Sequence, residues 1–329
     1  MQRFLIAAAL VLGFTGLSYG AGKAGEQAPD FPPGLFIDGH HYSLHDLEGK
    51  AVVLFFYEQD CPTCRGLIPK RNEVVEQYKG KPIKFIAVAA GDSIADAKAY
   101  VASTKLEMPV FADNLSLMEK RYGEKISLQN IYQFRVIGPS GKIQEYRMEP
   151  AAIDQVLSQV KWKYKDQGYD ERLGGALELL EWGQYAEGMR TLKPFLKNTN
   201  KDLAASAKKL YDVIHAEGEQ WLASAESANQ AEKAVEAFDL YTKVANTFAG
   251  DDLGKKAADP LKKLATSKPV KDELAARQMY EQLCNGAGRA RPQQREAVAE
   301  FAASIAQKYP KAPTGEKAAE LAKEIAAAQ

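Results

Sequence analysis

The sequence has 329 residues, of which 43 are basic, 43 are acidic and three are cysteine. This length favours two domains over one, and 46% hydrophobic with 26% charged residues is typical of a globular rather than a disordered protein. A formal net charge of zero argues against a dedicated binder of nucleic acids or anionic membranes, because such proteins carry excess basic charge.

The first 20 residues have the pattern of a secretory signal. Arg3 precedes an apolar run from Phe4 to Phe14, and the small residues Ser18 and Gly20 favour cleavage directly after Gly20. The run is shorter than the roughly 20 apolar residues that a membrane span needs. We therefore expect residues 1–20 to be removed, leaving a secreted or periplasmic protein without a transmembrane span, in a compartment where thiols can stay oxidised.

Residues from about 26 to 160 alternate between strand and helix patterns. Val52 to Tyr57 is continuously apolar, which is typical of a strand buried on both faces. The other predicted elements are a helix over 64–78, a strand over 83–88, a helix over 93–104 with Ser93 as N-cap, a strand over 110–112, a helix over 115–122, a hairpin of strands over 131–137 and 142–148, and a helix over 151–160. Strands that alternate with helices and end in a hairpin predict an α/β sandwich with a mixed sheet.

After residue 160 the strand patterns stop, and two stretches resemble each other at a constant offset of 61 residues. Phe248 corresponds to Tyr309 in this alignment, and Gly254 corresponds to Gly315. A helix, a turn with an aromatic residue and a glycine, and a second helix together predict a helical hairpin.

The segment from Leu180 to Glu187 also resembles the tetratricopeptide pattern around its first helix. We therefore predict an all-α, tetratricopeptide-like domain over residues 161–329 that binds a protein partner. A plain helical domain without a partner groove is the alternative.

Cys61 and Cys64 form a Cys-x-x-Cys motif between the strand ending at Tyr57 and the helix that follows. Unpaired N–H groups and the positive end of that helix favour a thiolate on Cys61, with a pKa below the ~8.5 of a free thiol. Cys64, one turn later, can attack a mixed disulfide formed at Cys61. Pro62 suits the first helical turn, where its missing N–H costs nothing, and Arg65 adds positive charge beside the pair. The motif predicts a redox-active dithiol in which Cys61 attacks and Cys64 resolves.

Two other uses of the cysteine pair stay open. A structural zinc ion needs four ligands. A copper or zinc site formed by the pair and one of His40, His41 and His45 would have an incomplete ligand set. We expect no metal or other cofactor, and we interpret these histidines as exposed turn residues. An inert structural disulfide is the second alternative, because redox behaviour depends on the surroundings of the pair. Cys284, near the end of a predicted helix, is interpreted as a partly buried apolar position.

Several segments of residues 26–160 together carry a family resemblance. They are Ala28–Phe31, Tyr42–Lys50, Val52–Phe56, the Cys61–Cys64 motif, Pro69 and the hairpin over 137–143. This set resembles the thioredoxin-like superfamily, and most closely its exported branch of peroxiredoxin-type (AhpC/TSA) and cytochrome-maturation-type thioredoxins. The resemblance implies a thioredoxin-like fold and a thiol–disulfide oxidoreductase that acts on a redox partner protein or a disulfide substrate. It also implies that Cys61 is the attacking thiol and Cys64 the resolving one.

The sequence departs from that family at three positions beside the dithiol. Asp60 stands where the family usually has an aromatic residue, and Tyr132 stands near the position of its cis-proline. Phe55 falls where many thioredoxins bury an acid, which leaves Glu58 as the nearest candidate proton shuttle. These departures keep open a non-catalytic scaffold with a structural disulfide. A thiol peroxidase is a weaker alternative, because Glu58 occupies the position of the peroxiredoxin threonine.

Overall fold

The computed structural model describes residues 22–40, 42–60, 62–127 and 132–327, without the side chains of Thr63 and Tyr132. The expected signal over residues 1–20, His41 and Cys61 therefore lie outside the described residues. Within the described ranges, no helix combines the length and the apolar character needed to cross a bilayer.

A six-stranded mixed sheet forms the centre of the N-terminal half, with the strand order β1-β4-β3-β2-β5-β6. The strands are β1 (Leu35–Phe36), β2 (Ala51–Tyr57), β3 (Ile83–Ala90), β4 (Val110–Asp113), β5 (Tyr132–Ile137) and β6 (Ile143–Glu145). The β2–β3 and β3–β4 pairs are parallel, and the other three pairs are antiparallel. The predicted mixed sheet is confirmed.

Twelve α-helices lie within the described residues. They are α1 (Pro62–Gln77), α2 (Ile94–Thr104), α3 (Leu117–Arg121), α4 (Pro150–Leu157), α5 (Gly174–Glu181), α6 (Tyr185–Leu192), α7 (Lys201–Gln230), α8 (Ala234–Thr247), α9 (Asp252–Leu264), α10 (Lys268–Ala287), α11 (Arg295–Lys308) and α12 (Pro313–Ala326). The predicted order of an α/β sandwich followed by helices is confirmed. Ser93 caps α2 as predicted, since its side chain accepts a hydrogen bond from the N–H of Asp96.

Strand β2 lies at the centre of two apolar layers. Val53 and Phe55 pack on one face with residues of α1, α2 and α4, whereas Val52 and Leu54 pack on the other face with residues of α3. All seven residues of β2 are buried, because successive side chains of a strand point to opposite faces and both faces are covered. The continuous apolar run in the sequence therefore reflects a sheet sandwiched between layers.

The structure differs from the sequence prediction at two ends of the sheet. Strand β1 was not predicted, because it has only two residues and its apolar run, Leu35 to Ile37, is shorter than the four to eight residues typical of a strand. Strand β6 ends at Glu145 rather than at residue 148. The Glu145 carboxylate accepts the N–H of Tyr146 and pairs with Arg147, so the chain turns there.

The predicted resemblance within the helical half corresponds to two helical hairpins. Helices α8 and α9 begin at residues 234 and 252, and helices α11 and α12 begin 61 residues later at 295 and 313. A Cβ on Gly254 would lie 2.3 Å from the carbonyl oxygen of Phe248, and a Cβ on Gly315 would lie 1.9 Å from that of Tyr309. Each hairpin thus needs glycine at the same point, where two backbones meet. The tetratricopeptide-like character of the region stays a prediction.

Polar contacts join the sheet to the helical half. The Nζ of Lys50, before β2, donates to Glu181 of α5 at 3.1 Å, and both side chains are buried. Asn114, after β4, donates to two main-chain carbonyls, one at the end of α10 and one just beyond it, at 2.7 and 2.6 Å. Arg121 forms a two-pronged ion pair with Glu324 of α12 at 2.7 and 2.6 Å. Because two bonds in parallel fix the orientation of a guanidinium, these contacts hold the helices in a defined position against the sheet.

The end of α10 covers the outer edge of β1. A Cβ on Gly288 would lie 2.5 Å from Cγ of Leu35, so the helix end touches the strand directly. Cys284 of α10 is partly buried, as predicted, and burial raises the pKa of its thiol. The edge of the sheet is therefore occupied by the chain's own helical half.

Candidate active site

The Cys-x-x-Cys motif spans the junction between β2 and α1. Strand β2 ends at Tyr57, helix α1 begins at Pro62, and Cys64 lies in its first turn with a side chain that is 2% exposed. Cys61, which the sequence predicts to be the attacking thiol, lies outside the described residues. Pro62 occupies the first helical position, where no intrahelical N–H donor is needed. Cys64 is thus buried in the first turn of a helix that follows a fully buried strand.

The start of β5 lies at the same end of the sheet. Tyr132 pairs with Tyr57, the last residue of β2, in the antiparallel register. Residues 128–131, which precede it, and the Tyr132 side chain lie outside the described residues. The backbone position of Tyr132 is therefore next to the end of the strand that leads to the dithiol.

Arg65 directs its charge away from α1 toward α2. Its guanidinium donates to the carbonyl of Gln59 at 3.4 Å and to Ser103 Oγ at 3.1 Å. It also lies 5.0 Å from the ring centroid of Tyr100. The side chain connects the loop before the dithiol to α2 and so orders that loop.

Glu58 lies near the dithiol loop but is not deeply buried. Its carboxylate accepts the N–H of Asp60 at 3.3 Å. It also lines a cavity of about 390 Å³ together with Glu119 and Lys120 of α3. Glu58 is half-buried, so water reaches part of this side chain.

Asp92 is the acid at this edge that the sequence analysis missed. It follows β3 and is 6% exposed, and its Oδ2 has no hydrogen-bond partner among the described residues. Burial, reinforced by the nearby carboxylates of Glu58, Asp96 and Asp60, raises its pKa to about 8. A carboxyl with such a pKa exchanges protons near neutral pH, as a general acid or base does.

The position of Asp92 follows from strand pairing. Strands β2 and β3 are parallel, with Tyr57 opposite Ala89, so the residues that follow both strands meet at one edge. The Gly91–Asp92 pair after an apolar strand was the available signal. The family resemblance instead pointed to β2 and the residues just after it, where Phe55 and Glu58 stand.

His40 and His45 are exposed, as expected. His40 contacts Asp38 at 3.3 Å and His45 contacts Glu48 at 3.2 Å, and both side chains are largely exposed. His41 lies outside the described residues.

Comparison with known proteins extends this description. Residues 24–146 match the AhpC/TSA family. The expected resemblance to thioredoxin-like proteins is confirmed over that part of the chain, whereas the helical half lies beyond the match.

Curated relatives carry names of thiol-disulfide oxidoreductases. The chain is 32% identical over 101 residues to the thiol-disulfide oxidoreductase ResA of Bacillus thuringiensis subsp. konkukian, a match that covers 31% of this chain and 58% of the relative. It is 32% identical over 94 residues to the thioredoxin-like protein YneN of Bacillus subtilis, covering 28% of this chain and 54% of the relative. The chain therefore spans little more than half the length of these relatives.

Among solved structures, the chain is similar to a thiol:disulfide interchange protein of the thioredoxin family from Chlorobium tepidum. The identity is 25% and the TM-score is 0.34, with 40% of this chain and 95% of that chain covered.

Proposed function

We propose that the protein is an exported thiol–disulfide oxidoreductase that acts on protein or small-molecule disulfides through Cys61 and Cys64. The observation that carries the proposal is the buried Cys64 in the first turn of α1, directly after the buried strand β2. The sequence puts a second cysteine three positions earlier, at the helix entrance. Similarity to proteins named thiol-disulfide oxidoreductases supports the same activity.

The reaction proceeds by two thiol–disulfide exchanges. The Cys61 thiolate attacks one sulfur of the substrate disulfide, which forms a mixed disulfide and releases the first substrate thiolate. Cys64 then loses its proton and attacks the Cys61 sulfur, which forms the Cys61–Cys64 disulfide and releases the second substrate thiolate. Two electrons pass from the dithiol to the substrate, and the reverse sequence oxidises a substrate dithiol.

Asp92 is proposed to exchange the proton that Cys64 loses or regains. Asp92 is buried at the edge shared by β2 and β3, and its pKa is about 8. It can therefore both accept and donate a proton near neutral pH. In this role Asp92 replaces Glu58, which the sequence had suggested.

The location and the helical half complete the proposal. The signal pattern of residues 1–20 supports a secreted or periplasmic location. We assign the helical half, with its two matching hairpins, to the binding of a protein partner that brings disulfides to the dithiol.

The test is reduction of insulin by dithiothreitol, catalysed by the wild type and by three single cysteine variants. We expect Cys61→Ser to abolish catalysis, Cys64→Ser to accumulate a mixed disulfide with the substrate, and Cys284→Ser to behave as the wild type. The proposal fails if Cys61→Ser retains full catalysis. A wild-type reduction potential below about −300 mV together with no catalysis would instead favour the structural disulfide.

A further inference from the structure

Five carboxylates collect at the edge of the sheet where the dithiol motif begins. Strands β2, β3 and β4 are parallel, so their carboxyl ends meet at this edge. In open α/β sheets, ligands bind in the crevice beyond the carboxyl ends of the strands. The five side chains follow β2, follow β3, or belong to α2 and α3, and they are termed here the acidic edge: Glu58, Asp60, Asp92, Asp96 and Glu119.

None of the five carboxylates of the acidic edge forms an ion pair within the described part of the chain. Three of them accept a hydrogen bond from a neutral group nearby in the sequence: Glu58 from the N–H of Asp60, Asp96 from Ser93 Oγ, and Glu119 from the N–H of Ile126. A neutral donor does not cancel the charge of a carboxylate. The protein therefore presents acids at this edge that its own basic side chains do not neutralise, and such a surface attracts cations.

Asp92 is the buried member of the acidic edge. Its side chain is 6% exposed, and its Oδ2 has no hydrogen-bond donor among the described residues. After burial, the groups that raise its pKa most are the other four carboxylates of the acidic edge. Because these four come from the loop after β2, from α2 and from α3, the carboxyl of Asp92 lies among them. A buried acceptor that lacks a donor and is surrounded by negative charge favours a cationic donor.

Three basic side chains adjoin the acidic edge, and each is engaged elsewhere. Arg65 donates to the loop before the dithiol and to α2. Lys120 and Lys125 line the cavity beside this edge, and each has a partner outside the five carboxylates. Glu124 of the same wall pairs with Arg135, so this pair leaves the balance unchanged. The acidic edge therefore keeps a surplus of negative charge, even when its buried member carries a proton.

We propose that the acidic edge selects disulfides that carry a cationic group beside the sulfur atoms. The ammonium or guanidinium group of the substrate binds among Glu58, Asp60 and Asp92 while the disulfide meets the dithiol. Asp60 directly precedes Cys61, so its charge belongs to the residue next to the attacking sulfur. The cavity of about 390 Å³ that Glu58 and Glu119 line is within the ~300–1,000 Å³ of small-molecule sites, so it has room for a long basic side chain. This inference rests on the proposed thiol–disulfide exchange and adds the class of its substrate.

The test compares three symmetric disulfides of similar size, each mixed with the reduced full chain at pH 7 and low ionic strength. Cystamine carries two positive charges, bis(2-hydroxyethyl) disulfide is neutral, and 3,3′-dithiodipropionate carries two negative charges. Each reaction oxidises the dithiol to the Cys61–Cys64 disulfide and reduces the probe to two thiols. Acid quenching, alkylation and mass spectrometry follow the loss of protein thiols. Each rate is divided by the rate of the same disulfide with free dithiothreitol, which corrects for intrinsic reactivity.

We expect the normalised rate with cystamine to exceed that with the neutral disulfide at least about fivefold, because several partly exposed charge pairs act together. The anionic disulfide should be slower than the neutral one by a similar factor. In 1 M NaCl both ratios should approach one, since the Debye length falls to about 3 Å. If no disulfide reacts, the proposed exchange fails and the inference fails with it. If all three react at the same normalised rate, or the anion reacts fastest, the exchange stands and the inference is overturned.

Two double variants of equal net charge locate the selectivity. Glu58→Gln with Asp60→Asn removes two carboxylates of the acidic edge and should lower the ratio of cystamine to neutral disulfide about threefold. Asp46→Asn with Glu73→Gln is the matched control, because Asp46 precedes the opposite end of β2 and Glu73 lies nine residues beyond Cys64 on α1. A change in thiol reactivity affects both probes alike and leaves this ratio constant. An unchanged ratio in the first variant, or an equal fall in the control, would overturn the proposal.

Discussion

Replacing Asp92 by asparagine is expected to stabilise the protein at alkaline pH and to change its stability little at pH 4. The side chain is 6% exposed, and its Oδ2 lacks a hydrogen-bond partner among the described residues, so the ionised form is costly in the folded state. The folded pKa is about 8, against 3.8 for an ordinary aspartate. Asparagine keeps the shape and removes the charge.

The sign of the pH dependence follows from proton binding. Below about pH 4, Asp92 is protonated in both the folded and the unfolded state. Between about pH 4 and pH 8 the folded state keeps the proton and the unfolded state loses it, so the free energy of unfolding falls as the pH rises. Above pH 8 both states are ionised and this contribution is constant.

The magnitude is bounded by the difference between the two pKa values. About four pH units at about 1.4 kcal/mol each give an upper limit of about 5–6 kcal/mol. Glu58 and Asp60 are open to water, which screens their repulsion of Asp92. We therefore expect the asparagine variant to gain about 2–3 kcal/mol relative to the wild type at pH 8.5.

The assay is urea denaturation of both proteins at pH 4.5, 6.5 and 8.5, with the dithiol kept reduced. Asp60→Asn is the matched control, because this exposed carboxylate belongs to the same cluster, and we expect it to change stability by less than about 0.5 kcal/mol. A difference between wild type and Asp92→Asn that stays constant from pH 4.5 to 8.5 would refute a neutral Asp92 in the folded state.

Two further predictions concern packing. Gly315→Ala should lower the free energy of unfolding by about 2 kcal/mol or more, because its Cβ would collide with the Tyr309 carbonyl. The control Gly286→Ala, in open space on α10, should raise the free energy of unfolding by about 0.5–1 kcal/mol. Thermal unfolding checks both variants, and equal effects would contradict the backbone contact at Gly315. Glu181→Gln should cost about 3–5 kcal/mol because it leaves Lys50 buried without its counter-charge, and Lys50→Met should cost less. Urea denaturation of both variants checks the second prediction, which fails if Glu181→Gln is neutral.

Patterns along the chain were sufficient to predict five of the six strands of the sheet and the helical half. The apolar run of β2 was predicted because its burial on both faces removes the need for polar residues at alternate positions. The repeat was visible because both hairpins need glycine at the same backbone contact, Gly254 in one and Gly315 in the other.

Contacts between distant segments could not be predicted in the same way. Asp92 lies 28 positions after Cys64 in the sequence, and only the parallel pairing of β2 with β3 brings it to the edge where the dithiol begins. Asn114 has the appearance of an ordinary turn residue, and its bonds to carbonyls at the end of α10 depend on how the helices dock. A hydrophobic pattern records which face is buried and not which partner covers it.

The covered edge of β1 bears on how far the two halves can be treated as separate modules. If the chain were cut near residue 160, Leu35 and the outer edge of β1 would lose the cover that α10 provides. The free segment would then expose unpaired backbone groups, which pair readily with other chains, and it would leave Lys50 without Glu181. The helical half thus shields this edge of the sheet from pairing with other chains. An N-terminal fragment should aggregate more readily than the full chain.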